Sequence, residues 1–203
     1  PGQVLAWLAE RGHLPFRSKQ IEGWLLSRRA ESFDSMSDLP QKLRAELTEN
    51  FRLWTADVAA HQQSTDGTEK LLFDLADGGR IECVLLREEG RRSICVSSQV
   101  GCAMGCVFCA SGLDGVDRNL SRGEILEQML RLQRLLPDDE RLSHIVMMGM
   151  GEPLANLDSV LSALQVASDS QGLGISPRRI TISTVGIPAA IERLARHHTP
   201  YHL

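Results

Sequence analysis

The chain has 203 residues, 42% hydrophobic and 24% charged, with a formal net charge of −4. That balance fits a globular protein with one sizeable core and a small accessory module, and gives no chain-wide electrostatic footprint for nucleic acid. No apolar run reaches the length of a membrane span, and Pro1-Gly-Gln-Val-Leu-Ala-Trp7 has neither the basic nor the apolar region of a signal peptide.

Residues 1–52 read as three short helices. Val4, Leu5 and Leu8 form an apolar stripe closed by Gly12; Ile21, Trp24 and Leu25 share a face over 17–29; Ser37-Asp-Leu-Pro40 opens a third helix with Leu43, Leu47 and Phe51 inward. Such a module suits an RNA-binding headpiece and a simple cap about equally. Residues 53–92 read as a short antiparallel extension. Asp66-Gly and Asp77-Gly-Gly79 mark turns around Lys70–Leu75 and Ile81–Leu86. The paired arginines Arg28-Arg29, Arg87 with Arg91-Arg92, and Arg178-Arg179 read as solvated surface.

Residues 93–203 change to a strand–loop–helix rhythm. Ser93–Ser98 is a strand running into a cysteine-rich loop. Ser121-Arg-Gly-Glu124 is a capping box for a helix with Ile125, Met129 and Leu132 inward, ended by Pro137. His144–Met148 is a buried strand, Asn156 caps the next helix, Arg179–Ser183 is a further strand, Pro188 opens a helix, and Tyr201-His-Leu203 begins another strand. Repeated βα units make this an α/β protein whose working loops lie at the strand C-termini, with too few units for a closed barrel. Both ends read as incomplete.

Chemistry concentrates in three loops. Cys102, Cys106 and Cys109 have C-x3-C-x2-C spacing, so one loop offers three thiolates and no fourth. A structural zinc site wants four ligands, and an iron–sulfur cubane wants one thiolate per iron, so three cysteines point to a cluster with one open iron. An odd total of five cysteines, with Cys83 and Cys95, argues against a disulfide framework and for a reducing cytoplasm. Gly149-Met-Gly151-Glu152-Pro follows the next strand and offers a carboxylate for a ligand's ammonium group. Ser183-Thr-Val-Gly186 ends the third, where Ser183 is suited to a ribose or carboxylate. Each loop alone reads as an ordinary turn; three of them at one end of a sheet make a ligand site.

Taken together, Cys95-Val-Ser-Ser-Gln-Val-Gly-Cys102, the cysteine loop, Arg118-Asn-Leu120, Gly149-Met-Gly-Glu-Pro-Leu-Ala-Asn156 and Ile182-Ser-Thr-Val-Gly-Ile-Pro188 resemble the radical SAM RNA methyltransferases of the RlmN/Cfr group. Pro15-Phe-Arg-Ser-Lys-Gln-Ile21 and Phe33-Asp-Ser-Met-Ser-Asp-Leu39 resemble that group's helical accessory domain. The resemblance implies a partial radical SAM (β/α) barrel over 93–203, preceded by the helical domain and the β extension. It implies a 4Fe–4S cluster on Cys102, Cys106 and Cys109, with S-adenosylmethionine on the open iron, its methionine end gripped by Gly151, Glu152 and Ser183. It further implies methylation of adenine carbon-2 in 23S rRNA and tRNA. A methyl-carrying cysteine is activated by a 5′-deoxyadenosyl radical, Glu82 accepts the ring proton, and Cys95 resolves the protein–RNA crosslink through a transient disulfide. A monomer, an electron donor such as flavodoxin and a cytoplasmic location follow from the same resemblance. The methyl-carrying cysteine has no counterpart, since all five cysteines lie at or before Cys109; this chain alone is expected not to complete the transfer.

Other readings stay open. Carbon-8 of the same adenine is the close rival. Without the resemblance, Cys95 is a small buried strand residue and Glu82 an exposed strand carboxylate. A non-catalytic RNA-binding chain with structural zinc lacks a fourth ligand, because His144 begins a strand at the opposite end of the sheet. A radical SAM maturase is disfavoured by Glu82 and Cys95. Cys83 alternates with Glu82 and is expected to be structural.

Overall fold

The computed structural model describes residues 2–197 and 199–203. Helices α1 (Gly2–Glu10), α2 (Phe16–Leu26) and α3 (Gln41–Asn50) form the leading module. Their apolar faces, with Phe33 and Met36 from the α2–α3 connection, bury Leu8, Ile21, Leu43 and Leu47 in a core of their own. Each of these large side chains contributes about 1.5–3 kcal/mol on burial. Leu5, expected on the inward stripe, is 44% exposed; only the Leu8 side of that helix meets a partner.

A six-stranded sheet follows, in the order β1 (Asp57–Gln63), β2 (Glu69–Asp74), β3 (Arg80–Glu88), β4 (Arg91–Cys95), β7 (His144–Met147), β8 (Ile180–Ile182). The first four strands pair antiparallel, while β4–β7 and β7–β8 are parallel. The β extension and the βα units thus share one sheet. Tyr201–Leu203 contributes a single parallel bridge, Thr181 to His202. A separate ribbon joins β5 (Gln99–Gly101) to β6 (Val116–Asn119). Helices α4 (Arg122–Arg134), α5 (Leu157–Ser168) and α6 (Pro188–Arg196) complete the chain. The capping box of α4 forms as read, both Ser121 and Glu124 closing it.

Period-two alternation gives the sheet two unlike faces. Leu71, Phe73, Ile81, Cys83, Leu85, Ile94, Ile145, Met147, Ile180 and Ile182 are buried in one core with Ile125, Met129 and Leu132 of α4 and Val160 and Leu164 of α5. The opposite face is open. Register places Lys70, Val84, Cys95, Val146 and Thr181 in one row across five strands, all half-buried, with Glu82 one step along β3 beside Leu72.

The leading module and the segment after it are fastened to α4 by polar contacts. Glu127 of α4 accepts from the Thr55 N–H at 2.9 Å, the Thr55 hydroxyl at 2.6 Å and the Ala56 N–H at 3.1 Å. Arg131, paired with Glu127, also stacks on Trp54 at 4.3 Å. Arg29 donates to the carbonyls of Leu136 and Pro137 at 2.7 and 3.0 Å and to that of Glu140. The arginine pairs read as solvated surface are therefore partly structural: Arg29 locks the end of α4, Arg87 meets buried Glu69, and Arg92 meets Glu140.

Two stability outcomes are expected. Glu127→Ala leaves two main-chain donors and a hydroxyl without their acceptor and should cost about 2–4 kcal/mol, read from urea midpoints, with Glu127→Gln losing less. Burial, with smaller contributions from Cys95 and Glu82, pushes the Cys83 thiol above its ordinary 9.0. The folded chain keeps that proton where the unfolded chain loses it, so stability is complete below about pH 9 and falls as pH rises further. Cys83→Ala should flatten that alkaline decline.

Candidate functional site

The cysteine loop is closed at its base by the β5–β6 ribbon, where the Cys102 N–H donates to the Gly115 carbonyl at 2.7 Å. Gly101 has φ +72°, and a Cβ there would meet the Gly115 oxygen at 2.2 Å, so the closure requires glycine. Arg118 of β6 is a bracket, bonding Glu124 of α4 and Asp77 of the β2–β3 turn. The Arg118 guanidinium, helped by the Gly79 N–H, holds Asp77 down at about 2.

Within that loop Cys102 is buried, and Cys106 and Cys109 are half-buried; none is in a disulfide. Cys106 and Cys109 line a concavity of about 330 Å³ with Gly105, Val107, Phe108 and Leu113. Val107 and Phe108 are almost fully exposed. Among the described residues no three ligand-type side chains converge in metal-binding geometry. The donor chemistry nevertheless fits an iron–sulfur cluster: three free thiols on one loop, with Cys102 anchored at its base.

The second and third loops are joined through residues that the sequence reading quoted without assigning. After Val96, which still donates to the Val146 carbonyl, the chain leaves the sheet, and Ser97–Gln99 becomes a polar junction. The Ser97 N–H donates to Gln128 Oε1 at 2.7 Å, and the Ser97 hydroxyl donates to the Glu82 carbonyl at 2.7 Å while accepting from the Met150 N–H at 2.8 Å. The Ser98 N–H donates to the Met150 carbonyl at 2.8 Å. Gln99 Oε1 accepts from the Glu152 N–H at 2.8 Å. Gly151 sits against this segment with φ +98°, and a Cβ would lie 2.5 Å from that of Gln99. Its glycine character thus serves contact between two protein segments.

Glu152 is 2% exposed. Its carboxylate accepts from the Leu154 N–H at 2.9 Å, the Thr184 hydroxyl at 2.7 Å and the Val185 N–H at 2.9 Å. It ties the loop after β7 to the loop after β8. Three of its roughly four acceptor positions are thereby occupied. Ser183 is half-buried between β8 and these contacts. Thr184 and Val185 are the partners the sequence reading missed; their signal was the shared Ser-Thr-Val-Gly loop. Asn156, expected to cap α5, instead sends its amide to the Ser98 and Leu120 carbonyls, both at 2.8 Å. The junction needs that donor more than the helix end does.

Glu82 and Cys95 share the open face, diagonal to one another across the β3–β4 ladder, an arrangement that separates side chains by roughly 7–8 Å. Cys83 points the other way into the core, as alternation requires. Burial pushes the Cys95 thiol above its ordinary value, against a backbone hydrogen bond at Met148 that lowers it. Glu82 is met by Lys70 at 3.0 Å. Exposed Met148 and Val185 stand at the same end. The cysteine loop, Glu152, Ser183, Glu82 and Cys95 thus gather where β4, β7 and β8 end.

The family model "Radical SAM superfamily" matches residues 96–201. The chain belongs to the radical SAM superfamily. A second model, "Ribosomal RNA large subunit methyltransferase N-terminal domain", matches residues 2–53. A Rhodopirellula baltica relative named "Probable dual-specificity RNA methyltransferase RlmN" is 70% identical over 99% of this chain and 54% of its own length. A Bacillus subtilis relative of the same name is 45% identical over 95% and 53%. The crystal structure of a radical SAM methyltransferase from Sphaerobacter thermophilus is 38% identical, with TM-score 0.93, over 98% of this chain and 59% of that one. The chain thus spans about half the length of the curated relatives it matches.

The junction makes one outcome specific. Gly151→Ala must move Gln99 or its own loop, at roughly 2–4 kcal/mol of stability. Hydrogen exchange at the Ser98 and Gln99 amides, both bonded to the Met150 carbonyl, should accelerate more than exchange in β2 and β3.

Proposed function

We propose that this radical SAM chain carries the cofactor-binding and proton-accepting parts of an RNA methyltransferase that methylates carbon-2 of adenine in 23S rRNA and tRNA. The observation that carries the reading is the placement of Glu82 and Cys95 on one open sheet face beside a three-thiol loop. The dual-specificity RNA methyltransferase names of the relatives support two RNA classes. The chain divides into the helical module (1–52), which meets RNA, the β extension (53–92) carrying Glu82, and the core (93–203). It works as a monomer supplied with electrons by a small reducing protein such as a flavodoxin.

Cys102, Cys106 and Cys109 hold the 4Fe–4S cluster. Gly151, Glu152 and Ser183 form the wall for the methionine end of S-adenosylmethionine, Glu152 through its remaining acceptor position. When bound, this cofactor pair supplies the one-electron chemistry needed to reach an unreactive carbon. Glu82 accepts the proton from the substituted ring carbon, a general-base role worth about 10²–10⁴-fold. Cys95 attacks the sulfur bonded to the transferred carbon. A sulfur–sulfur bond forms, the sulfur–carbon bond breaks, and the electron pair stays with carbon, which takes up a proton to become methyl. Burial keeps Cys95 as a protonated thiol until that step. No cysteine follows Cys109, so the methyl-carrying sulfur is not among these 203 residues, and they bind iron without methylating RNA.

In the full-length protein, reconstituted without oxygen, Cys95→Ala should leave RNA covalently attached, seen as a nuclease-sensitive shift on a denaturing gel. Ordinary product release by that variant would overturn the role. Mass spectrometry of the modified adenine should place the methyl on carbon-2; a carbon-8 product would overturn the assignment. The 203-residue chain should bind iron and sulfide with a visible spectrum, whereas colourless zinc-loaded protein would remove the cluster reading.

A further inference from the structure

Lys70 lies on β2, outside every loop considered so far, yet it occupies the row that holds Cys95. It stands directly opposite Val84, and Val84 stands directly opposite Cys95. Its ammonium reaches diagonally across the β2–β3 ladder to Glu82 Oε1 at 3.0 Å. Both side chains are partly exposed, 38% and 44%, and an ion pair so placed contributes little to stability. Stability therefore does not account for it. The other charges on these strands are engaged elsewhere: Asp74 pairs with Arg80, and Glu69 with Arg87 and His61.

A glutamate has three rotatable side-chain bonds, and on an open face it samples several rotamers. A single contact on Oε1 narrows that choice and leaves Oε2 uncommitted. The main chain on either side is already fixed, since the Glu82 carbonyl accepts from Ser97. What remains to be set is the direction of the carboxylate, and Lys70 is the group in reach that sets it.

We infer that Lys70 is a positioning residue that holds Glu82 aimed at the substrate carbon whose proton it accepts. The inference rests on the base role proposed for Glu82. In the step concerned the ring C–H bond breaks, its electron pair stays in the ring, and the proton passes to Glu82; no oxidant or further reactant enters.

The test uses full-length protein with its cluster, comparing Lys70→Met, Lys70→Arg and Glu82→Gln. Readouts are product rate, KM for RNA, accumulated covalent RNA adduct, and the isotope effect with deuterium on adenine carbon-2. Lys70→Met should slow turnover about 10- to 100-fold, the scale of a misaimed catalytic group. It should also accumulate adduct, enlarge the isotope effect and leave KM within about twofold, while Lys70→Arg recovers much of the rate. A rise in KM alone, or an unchanged isotope effect with normal turnover, overturns the inference. Normal turnover by Glu82→Gln instead overturns the base role itself, whereas a stalled Glu82→Gln beside a normal Lys70→Met overturns only the part given to Lys70. Thermal melts of each variant separate misfolding from slow chemistry.

Discussion

The site depends on how three residues, Ser97 to Gln99, satisfy their hydrogen bonds after the chain leaves β4. Val96 still donates to the Val146 carbonyl of β7; beyond it, partners from the sheet no longer come automatically. Buried main-chain and amide groups without partners cost about 1–3 kcal/mol each. Here they are met by the side chains of Gln128 and Asn156 and by the main chain of Met150. Those partners come from α4, the start of α5 and the loop after β7. Satisfying one short segment therefore fixes the positions of three elements, and with them the cysteine loop, Gly151 and Glu152.

Glu152 extends the same logic one loop further. Its buried carboxylate is matched by donors from its own loop and from the one after β8, as a buried charge must be. The residue holds the two loops together, so its replacement is felt in the folding of both. The open sheet face is the reverse case. Glu82 and Lys70 sit there partly exposed and Cys95 half-buried, placed by strand register and, for Glu82, by its contact with Lys70.

What the sequence made legible was local. The Ser121–Glu124 box, the cysteine spacing, the Gly-Met-Gly-Glu loop and the alternation of Glu82 with Cys83 are each decided within a few residues. The strand β1 was not legible, because Asp57–Gln63 is a polar edge strand exposed along nearly its whole length and lacks the apolar alternation that marks a strand. The β5–β6 ribbon was too short to signal itself. Gln99 and Gln128 carry no local pattern at all: their partners lie tens of residues away, and a glutamine reads as surface until the fold closes over it. Asn156 misled for a related reason, since a capping residue and a junction donor look identical in one dimension.

Helix α4 joins the two halves of this account. One end is bracketed by Arg118 through Glu124, and the other by Arg29 through the carbonyls that follow it. Its 13 residues span about 20 Å and are stiff between those brackets. The helix is therefore a strut. A tilt of the helical module has little slack in the helix to absorb it. The displacement arrives at the Arg118 bracket, beneath the ribbon that closes the cysteine loop.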